Sequence, residues 1–200
     1  MDKETKQRLD KQFDFIREID KEKFIGRQTY LTGATRKEDD AEHAWHMAIM
    51  TLLLSEYANK EIDVLHTISM LLIHDLVEID AGDTYAYDAA GNATKREREL
   101  KAAKRIFHLL PEDQAEELFQ LWEEFEACET PEAKFAHSMD NIQPIMLNDA
   151  TGGKAWREHQ VKKSQVEKRQ ESTRAGSETI MEVAEEIIRR NVENGNLKNE

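Results

Sequence analysis

Four residues, spread over about half of the chain, carry side chains that could share one metal ion. They are two histidines and two aspartates: His43, the adjacent His74 and Asp75, and Asp140. Two imidazoles and two carboxylates form a mixed nitrogen and oxygen site, which suits a divalent ion such as Mn, Co, Fe, Ni, Zn or Mg. Four protein ligands on a six-coordinate ion leave positions open for water and substrate, as in catalytic metal sites.

Each of these residues has a simpler interpretation when it is taken alone. A histidine-aspartate pair occurs easily by chance, and Asp75 and Glu78 could lie solvated at a helix end. His43 could be a hydrogen-bonded core histidine, with His46 or His137 as competing ligands. However, the pair follows an apolar segment, and a buried charged cluster is costly unless it is paired or bound to metal. That cost favours a functional site.

Helices must bring these residues together. The chain has 200 residues with only 3 Pro and 8 Gly, is 39% hydrophobic and is rich in helix formers, so we predict an all-α, single-domain protein with the metal site in its core. Residues 21–38 lack helical periodicity and are predicted to form a long ordered loop carrying Arg27 and Arg36. Helices are predicted over residues 3–20, 39–59, 61–79, 94–110, 111–128 and 131–149.

Two of these helices determine where the predicted ligands point. On the helix from about residue 39, His43 begins an apolar stripe with spacings of three and four, so it should face inward. The helix 61–79 is apolar on several sides and is predicted to be the central buried helix, ending before Gly82. His74 and Glu78 are four residues apart on it and therefore share a face.

Composition excludes several classes of function. A net charge of −13 argues against binding to a nucleic acid polymer or an anionic membrane. No apolar run approaches the length of a membrane span, and the N-terminus lacks a signal-peptide pattern. The single cysteine, Cys128, cannot form an internal disulfide. We therefore expect a soluble cytoplasmic protein whose partner is a small molecule; a phosphorylated ligand would need a metal and one or two arginines.

Taken together, the motifs resemble the HD superfamily of metal-dependent phosphohydrolases, whose ligand pattern is H…HD…D on separate helices. The segment 36–43 resembles the R-x-E-x-x-x-E-H motif of the branch that includes bacterial 5′-deoxynucleotidases and the eukaryotic HD-domain-containing protein 2. The segment 74–83 resembles HD-x-x-E-x-x-x-GD of the same branch. The resemblance covers about residues 10–150 and implies an HD-type helical bundle.

The resemblance also implies roles for individual residues. His43, His74, Asp75 and Asp140 would hold one divalent metal ion. Glu78 would position or activate the attacking water, and Asp83 would lie by the substrate and contact its sugar or phosphate. Arg27 corresponds to a substrate-binding arginine, although Gln28 follows it where the family's bacterial nucleotidases often have tryptophan.

The reaction implied is hydrolysis of a phosphate monoester, most specifically a deoxynucleoside 5′-monophosphate, to a deoxynucleoside and phosphate. Arg27 and Arg36 could clamp the phosphate through their forked donors, or Arg36 could pair with Glu42 or Asp39 and shape the loop. Lys95, Arg96 and Arg98 are a weaker phosphate candidate, since such a run usually lies on a solvated helix face. Residues 1–150 would form the phosphohydrolase core. Residues 151–200 would form a helical extension packing on the core or on the partner of a homodimer.

Two other classes of function remain open. The pocket could bind a nucleotide or metal as a non-catalytic sensing module, although retention of Glu78 with the ligands argues against this. The chain could also be a purely structural helical bundle. A ferritin-like site is not expected because no histidine has Glu three residues before it. A thermolysin-type zinc protease is excluded because His-Glu-x-x-His does not occur.

Overall fold

The structure, a computed structural model, describes residues 1–87 and 89–200. It is mainly helical with one small two-stranded sheet, which confirms the predicted all-α, single-domain class. Within these residues, no helix combines the length and apolar character needed to cross a bilayer. Short 3-10 segments cover Asp20–Phe24, Ser55–Tyr57 and His74–Val77. The α-helices are α1 Lys3–Ile19, α2 Asp40–Leu54, α3 Val64–Ile73, α4 Glu78–Ala81, α5 Ala89–Asn92, α6 Lys95–Phe107, α7 Glu112–Ala127, α8 Pro131–Ala150, α9 Lys154–Glu158, α10 Lys163–Gln170, α11 Thr173–Gly176 and α12 Glu178–Glu193.

The predicted long loop over residues 21–38 is instead largely an antiparallel hairpin. Its strands are β1, Gly26–Tyr30, and β2, Lys37–Asp39. Gly26 pairs with Asp39 and Tyr30 pairs with Lys37, and the register is irregular between these two pairs. The loop prediction was wrong because such short, charged strands carry too little apolar alternation to indicate β structure. The hairpin ends directly at the start of α2, so it carries Arg27 to the same region as the first turn of that helix.

The predicted helix over residues 61–79 is broken at the residues of chemical interest. The α-helix α3 ends at Ile73, a 3-10 segment follows over His74–Val77, and α4 resumes the α-helix until Ala81. Gly82 then adopts a positive φ of 75°, a left-handed value that glycine tolerates, and it ends the helix where the sequence predicts. The break sets the direction of the side chains that a continuous α-helix would have placed differently.

This broken segment lies between two hydrophobic clusters that fix it. The first cluster packs α2, α3, α8 and α12 together through residues such as Met47, Leu71 and Met139. The second packs α6 and α7 and includes Leu76 and Val77 of the 3-10 segment itself. Each fully buried side chain of this size contributes roughly 1.5–3 kcal/mol, so the segment is anchored on both sides.

The C-terminal residues pack closely against the middle of α8. A Cβ on Gly176 would lie 2.2 Å from the carbonyl oxygen of Lys134, so a larger residue would push α11 away from α8. At this approach the hydroxyl of Ser138 donates to the carbonyl of Thr173 at 2.9 Å. The following helix, α12, buries Ile187 and neighbouring apolar residues in the first cluster. The C-terminal segment is thereby held in a fixed position relative to α8.

Candidate metal centre and active site

The four predicted ligands come together from three elements. His43 lies in the first turn of α2, His74 and Asp75 in the 3-10 segment, and Asp140 in the middle of α8. His43 Nε2 is 3.1 Å from Asp140 Oδ1, and ligand atoms of His43, His74 and Asp75 all lie within 4.8 Å of one another. Opposite ligands of one ion with bonds of ~2.1 Å are about 4 Å apart, so this grouping fits a single cation.

His74 is held in the form that a metal ligand requires. Its Nδ1 donates to the carbonyl of Leu71 at 2.9 Å, which fixes the ring and leaves Nε2 for ligation. Nε2 is buried, lies 3.1 Å from Asp75 Oδ1 and makes no hydrogen bond among the described residues. A buried polar atom without a hydrogen bond is costly, and coordination to a cation would remove that cost.

The electrostatics of the four residues favour a cation. Burial and the charge of Arg27 lower the pKa of His43 to about 4, so its ring is neutral at pH 7. Burial opposes charge on His74, but Asp75 and Asp140 outweigh it and raise the pKa of His74 to about 9. Burial likewise disfavours ionised Asp75 and Asp140, yet neighbouring cationic side chains hold the pKa of both well below the usual range. Without a metal ion, His74 therefore holds a proton at pH 7. A divalent cation bound at the same place would supply more positive charge than that proton.

Arg27 connects the hairpin to this cluster. Its Nη1 donates to Asp75 Oδ2 at 2.9 Å and to Asp40 Oδ1 at 3.1 Å, and its Nε lies 3.5 Å from Glu38. Charge-assisted bonds of this kind are stronger than neutral ones and carry directional information. Arg27 therefore orients the predicted ligand Asp75, and its guanidinium is already shared between carboxylates.

Glu38 stands behind His43 as an outer carboxylate. It is buried, accepts a hydrogen bond from Gln143 Nε2 at 2.8 Å, and lies 3.8 Å from His43 Nδ1. When Nε2 of His43 binds a cation, the ring proton resides on Nδ1, which faces Glu38. Burial raises the pKa of Glu38 to about 7.

Glu78 and Asp83 lie beside the ligands and are suited to handling a proton. Glu78 is buried, its Oε2 makes no hydrogen bond among the described residues, and its carboxylate is within 4.8 Å of those of Asp40 and Asp75. Burial and these two neighbours raise the pKa of Glu78. Burial also raises the pKa of Asp83, which is half-buried. A carboxylate with a raised pKa is a stronger base toward water.

A cavity adjoins the cluster. Arg27 and Asp83 line it on the side of the ligands, and Arg169 lines it as well and donates to Asp140 Oδ2 at 3.3 Å. Tyr85 and Tyr87, with ring centroids 5.2 Å apart, contribute aromatic surface. The cavity thus combines cationic donors near the cluster with apolar rings.

Several residues of this site were missed in the sequence analysis. Asp39 caps α2, whereas the next residue, Asp40, is fully buried against Arg27. Arg169 lies in a polar stretch that shows no pattern pointing to a site. Lys95, predicted as a weak phosphate candidate, pairs with Glu99 at 3.3 Å. Glu99 and the carboxylates of the site raise the pKa of Lys95, although burial alone would lower it.

Other candidates lie away from the cluster in the described structure. Arg36 donates through both terminal nitrogens to Glu42 and is exposed, the pairing foreseen as the alternative to phosphate binding. His46 contacts Gln143 at 3.3 Å rather than a predicted ligand. His137 donates to the carbonyl of Phe125 at 2.8 Å and stacks on its ring.

The chain is similar to known proteins in both sequence and structure. A family model described as the HD domain matches residues 19–181. The chain is 33% identical over 134 residues to 5′-deoxynucleotidase HDDC2 of Bos taurus, covering 66% of this chain and 63% of the bovine protein, and 32% identical to that of Homo sapiens, covering 64% of the human protein. These matches span less than two thirds of the length of both relatives. A crystal structure of a predicted metal-dependent phosphohydrolase from Magnetospirillum magnetotacticum MS-1 is 47% identical, covers 96% of each chain and gives a TM-score of 0.92.

Proposed function

The chain belongs to the HD-domain family, and from this membership we propose that it is a metal-dependent phosphomonoester hydrolase acting on deoxynucleoside 5′-monophosphates. The names of the bovine and human relatives support the substrate class. The single observation that carries the proposal is the grouping of His43, His74, Asp75 and Asp140 next to the buried carboxyl of Glu78.

In this proposal the four grouped residues hold one divalent ion, whose identity the donor set leaves open among Mn, Co, Fe, Ni, Zn and Mg. When bound, such an ion supplies Lewis acidity to a phosphate oxygen. Glu78 orients the attacking water and accepts its proton at the free Oε2. Asp83, at the cavity wall, contacts the sugar or phosphate. Arg27 is a positioning residue that holds Asp75 in place.

The cavity supports a nucleotide rather than a simple phosphate. Arg169 bridges the cavity and Asp140, so its guanidinium is suited to bind a phosphate beside the ion. Tyr85, Tyr87 and Trp156 line the same cavity and offer rings on which a base can stack. Arg36 is left out, because it is exposed and paired with Glu42. We further propose that the enzyme works in the cytoplasm, where a chain with one cysteine needs no disulfide.

The proposal is tested with the purified protein loaded with Mn or Co. Released phosphate is measured for a panel of deoxynucleoside and ribonucleoside 5′-monophosphates, with p-nitrophenyl phosphate as a substrate that lacks a base. We expect turnover of nucleotides, with deoxynucleotides preferred. A protein carrying Glu78→Gln provides the matched background, because it keeps all four proposed ligands.

Two outcomes would contradict the proposal. If the protein carries a full complement of metal and releases phosphate from none of the substrates, the proposed hydrolase activity is wrong. Saturable nucleotide binding without product would then favour the alternative of a non-catalytic sensing module. Turnover of p-nitrophenyl phosphate with no response to nucleotides would retain a phosphohydrolase but remove the nucleotide as its substrate.

A further inference from the structure

The cationic residues at the start of α6, predicted as a weak phosphate candidate, have three separate sets of partners. Lys95 pairs with Glu99 on the next turn at 3.3 Å. Arg96 donates to Glu123 of α7 at 2.8 Å. Arg98 is half-buried, and its acceptors among the described residues are backbone carbonyls and threonine hydroxyls rather than carboxylates. Arg98 therefore has a different role from that of a surface ion pair.

Arg98 bonds to both ends of the connection between α4 and α5. Its Nη1 donates to the carbonyl of Ala81, the last residue of α4. Its Nη2 donates to Thr84 Oγ1 at 2.8 Å and to the carbonyl of Gly91 in α5 at 3.2 Å. The Nε lies 3.4 Å from Thr94 Oγ1. All three nitrogens of the guanidinium are thus engaged within the protein, which argues against phosphate binding by Arg98.

This connection contributes one wall of the cavity. We call residues 82–87 the wall segment; Asp83, Tyr85 and Tyr87 within it line the cavity, whereas Arg98 does not. The rings of Tyr85 and Tyr87 meet edge to face with their centroids 5.2 Å apart. Residues 82–85 lie outside helices and strands, so their position depends on bonds from other parts of the chain. Arg98 supplies such bonds from behind the cavity.

The bonds from Arg98 are suited to fixing a segment of this kind. A guanidinium is a rigid planar fork, and its charged donors make stronger hydrogen bonds than neutral donors do. Asn92 also donates to the carbonyls of Tyr85 and Ala86, but at 3.4 Å in both cases, which is longer than a usual hydrogen bond. The ring of Tyr85 packs on His159 with centroids 4.7 Å apart. Of these polar contacts, those from Arg98 hold the wall segment more firmly.

We propose that Arg98 is a positioning residue for nucleotide binding, which holds the wall segment so that Tyr85 and Tyr87 receive the base. This inference rests on the proposed function, since the base of a nucleotide is the group that would stack on the two rings. It concerns binding rather than the chemical step. Glu78 belongs to α4, whose last turn is closed by a bond from Gly82 N to Glu78 O at 2.7 Å, and the proposed ligands lie on other elements. Loss of Arg98 should therefore weaken nucleotide binding and leave the metal centre intact.

The test compares Arg98→Ala with Arg105→Ala in the full, metal-loaded chain. Arg105 lies on the same helix and donates to Asp80 and Glu18, so its removal also breaks a link from α6 to α4 but keeps the bonds to the wall segment. For a deoxynucleoside 5′-monophosphate, Arg98→Ala should raise KM about tenfold through partial loss of base stacking and change kcat by less than about twofold. For 2-deoxyribose 5-phosphate, which has no base, KM should rise by less than about threefold. Arg105→Ala should change each value by less than about twofold.

Two further measurements do not depend on turnover. Amide hydrogen exchange of residues 82–87 should be faster in Arg98→Ala than in the wild type and unchanged in Arg105→Ala. The dissociation constant of the deoxynucleotide, titrated into metal-loaded Glu78→Gln protein, should rise about tenfold when Arg98→Ala is added. Metal stoichiometry should be the same in all variants. If Arg98→Ala does not fold, Thr84→Val removes one acceptor of Arg98 and should raise KM about threefold.

Three results would overturn this role of Arg98. Equal effects of Arg98→Ala and Arg105→Ala on KM would show that Arg98 acts only through general stability. Faster exchange in the wall segment without weaker nucleotide binding would show that the segment does not hold the nucleotide. A wild-type protein that binds no deoxynucleotide would overturn both this inference and the proposed function. By contrast, binding without turnover, weakened by Arg98→Ala, would support the role of Arg98 and remove only the hydrolase.

Discussion

The inward and outward sides of α2 depart from the ordinary pattern of a soluble helix in opposite ways. On the inward side Asp40 and His43 are fully buried, although charged and ionisable groups are rarely buried without compensation. On the outward side Trp45 and Leu52 are exposed, although apolar side chains gain by leaving water. Both arrangements cost stability in the isolated chain, and the proposed cation would offset the cost on the inward side.

The two sides of α2 differ in how strictly neighbouring residues fix the orientation of their side chains. The inward groups are oriented by directional bonds, such as those from Arg27 to Asp40 and Asp75, so a small change should alter the chemistry sharply. The outward residues present a surface without such bonds, so substitution there should leave the chemistry unchanged. Substitutions on the inward side test this contrast.

The largest effect is expected for Glu78→Gln. The amide cannot accept a proton from water, so kcat/KM should fall by ~10²–10⁴, the usual contribution of a general base. Metal stoichiometry should be unchanged, and the free energy of unfolding should be equal or higher, because a buried carboxyl with a raised pKa is replaced by a neutral group. Phosphate release and thermal unfolding are the measurements.

The matched control for this change is Glu22→Gln. Glu22 is also buried, has an oxygen without a hydrogen bond among the described residues, and has a pKa raised by burial to about 7. We assign it no role with the substrate, so its substitution should leave kcat/KM within about threefold. Equal loss of activity in both variants would show that Glu78 acts only through the electrostatics of the buried cluster.

The next effect concerns metal affinity and the substitution Asp140→Asn. Loss of an anionic ligand should weaken binding of Mn or Co by on the order of 100-fold or more, since even outer-sphere partners contribute 10–100-fold. Asp149→Asn is the control on the same helix, because Asp149 pairs with Arg190 and Asn191 away from the cluster. Isothermal titration would contradict the ligand assignment if both variants bound the ion as the wild type does.

Part of the cluster could be predicted from the sequence because it interrupts an apolar helical pattern at local spacing. His74, Asp75 and Glu78 lie within five residues of one another at the end of a hydrophobic segment, and the family model that matches the chain covers them. The helical class could be predicted for the same reason, because composition and helical periodicity, like this motif, are properties of local sequence. The geometry of the 3-10 break was not predictable, because it depends on packing between two clusters that are distant in sequence.

The rest of the site depends on contacts between remote segments. Arg27 meets Asp75 across 48 positions and Arg169 meets Asp140 across 29, and neither arginine shows a periodic pattern that points inward. The position of Arg169 rests on packing such as the close approach at Gly176, which sequence spacing does not report. The short charged strands of the hairpin were missed for the same reason, since pairing between them defines them.

A smaller effect on catalysis is expected for Arg169→Ala. If its guanidinium binds the substrate phosphate, kcat/KM should fall by ~10–100-fold, mostly through KM, in line with about 1.5–3 kcal/mol for a bond to a charged group. Lys168→Ala removes a neighbouring positive charge that does not line the cavity and should change kcat/KM by less than about twofold. Initial-rate kinetics with one deoxynucleotide distinguish the two, and an equal change in both variants would reduce the role of Arg169 to general electrostatics.

The smallest effect follows from the proton on His74. Its pKa of about 9 in the folded chain is raised above the ordinary value of about 6.5, so without a cation the stability that it contributes is present below pH 6.5 and lost as the pH rises through 9. A metal ion must displace this proton, so its apparent affinity should increase by about tenfold per pH unit from pH 7 to 8.5, with one proton released. Metal titrations in buffers of different ionisation enthalpy measure both quantities. A pH-independent metal affinity would remove His74 from the ligand set.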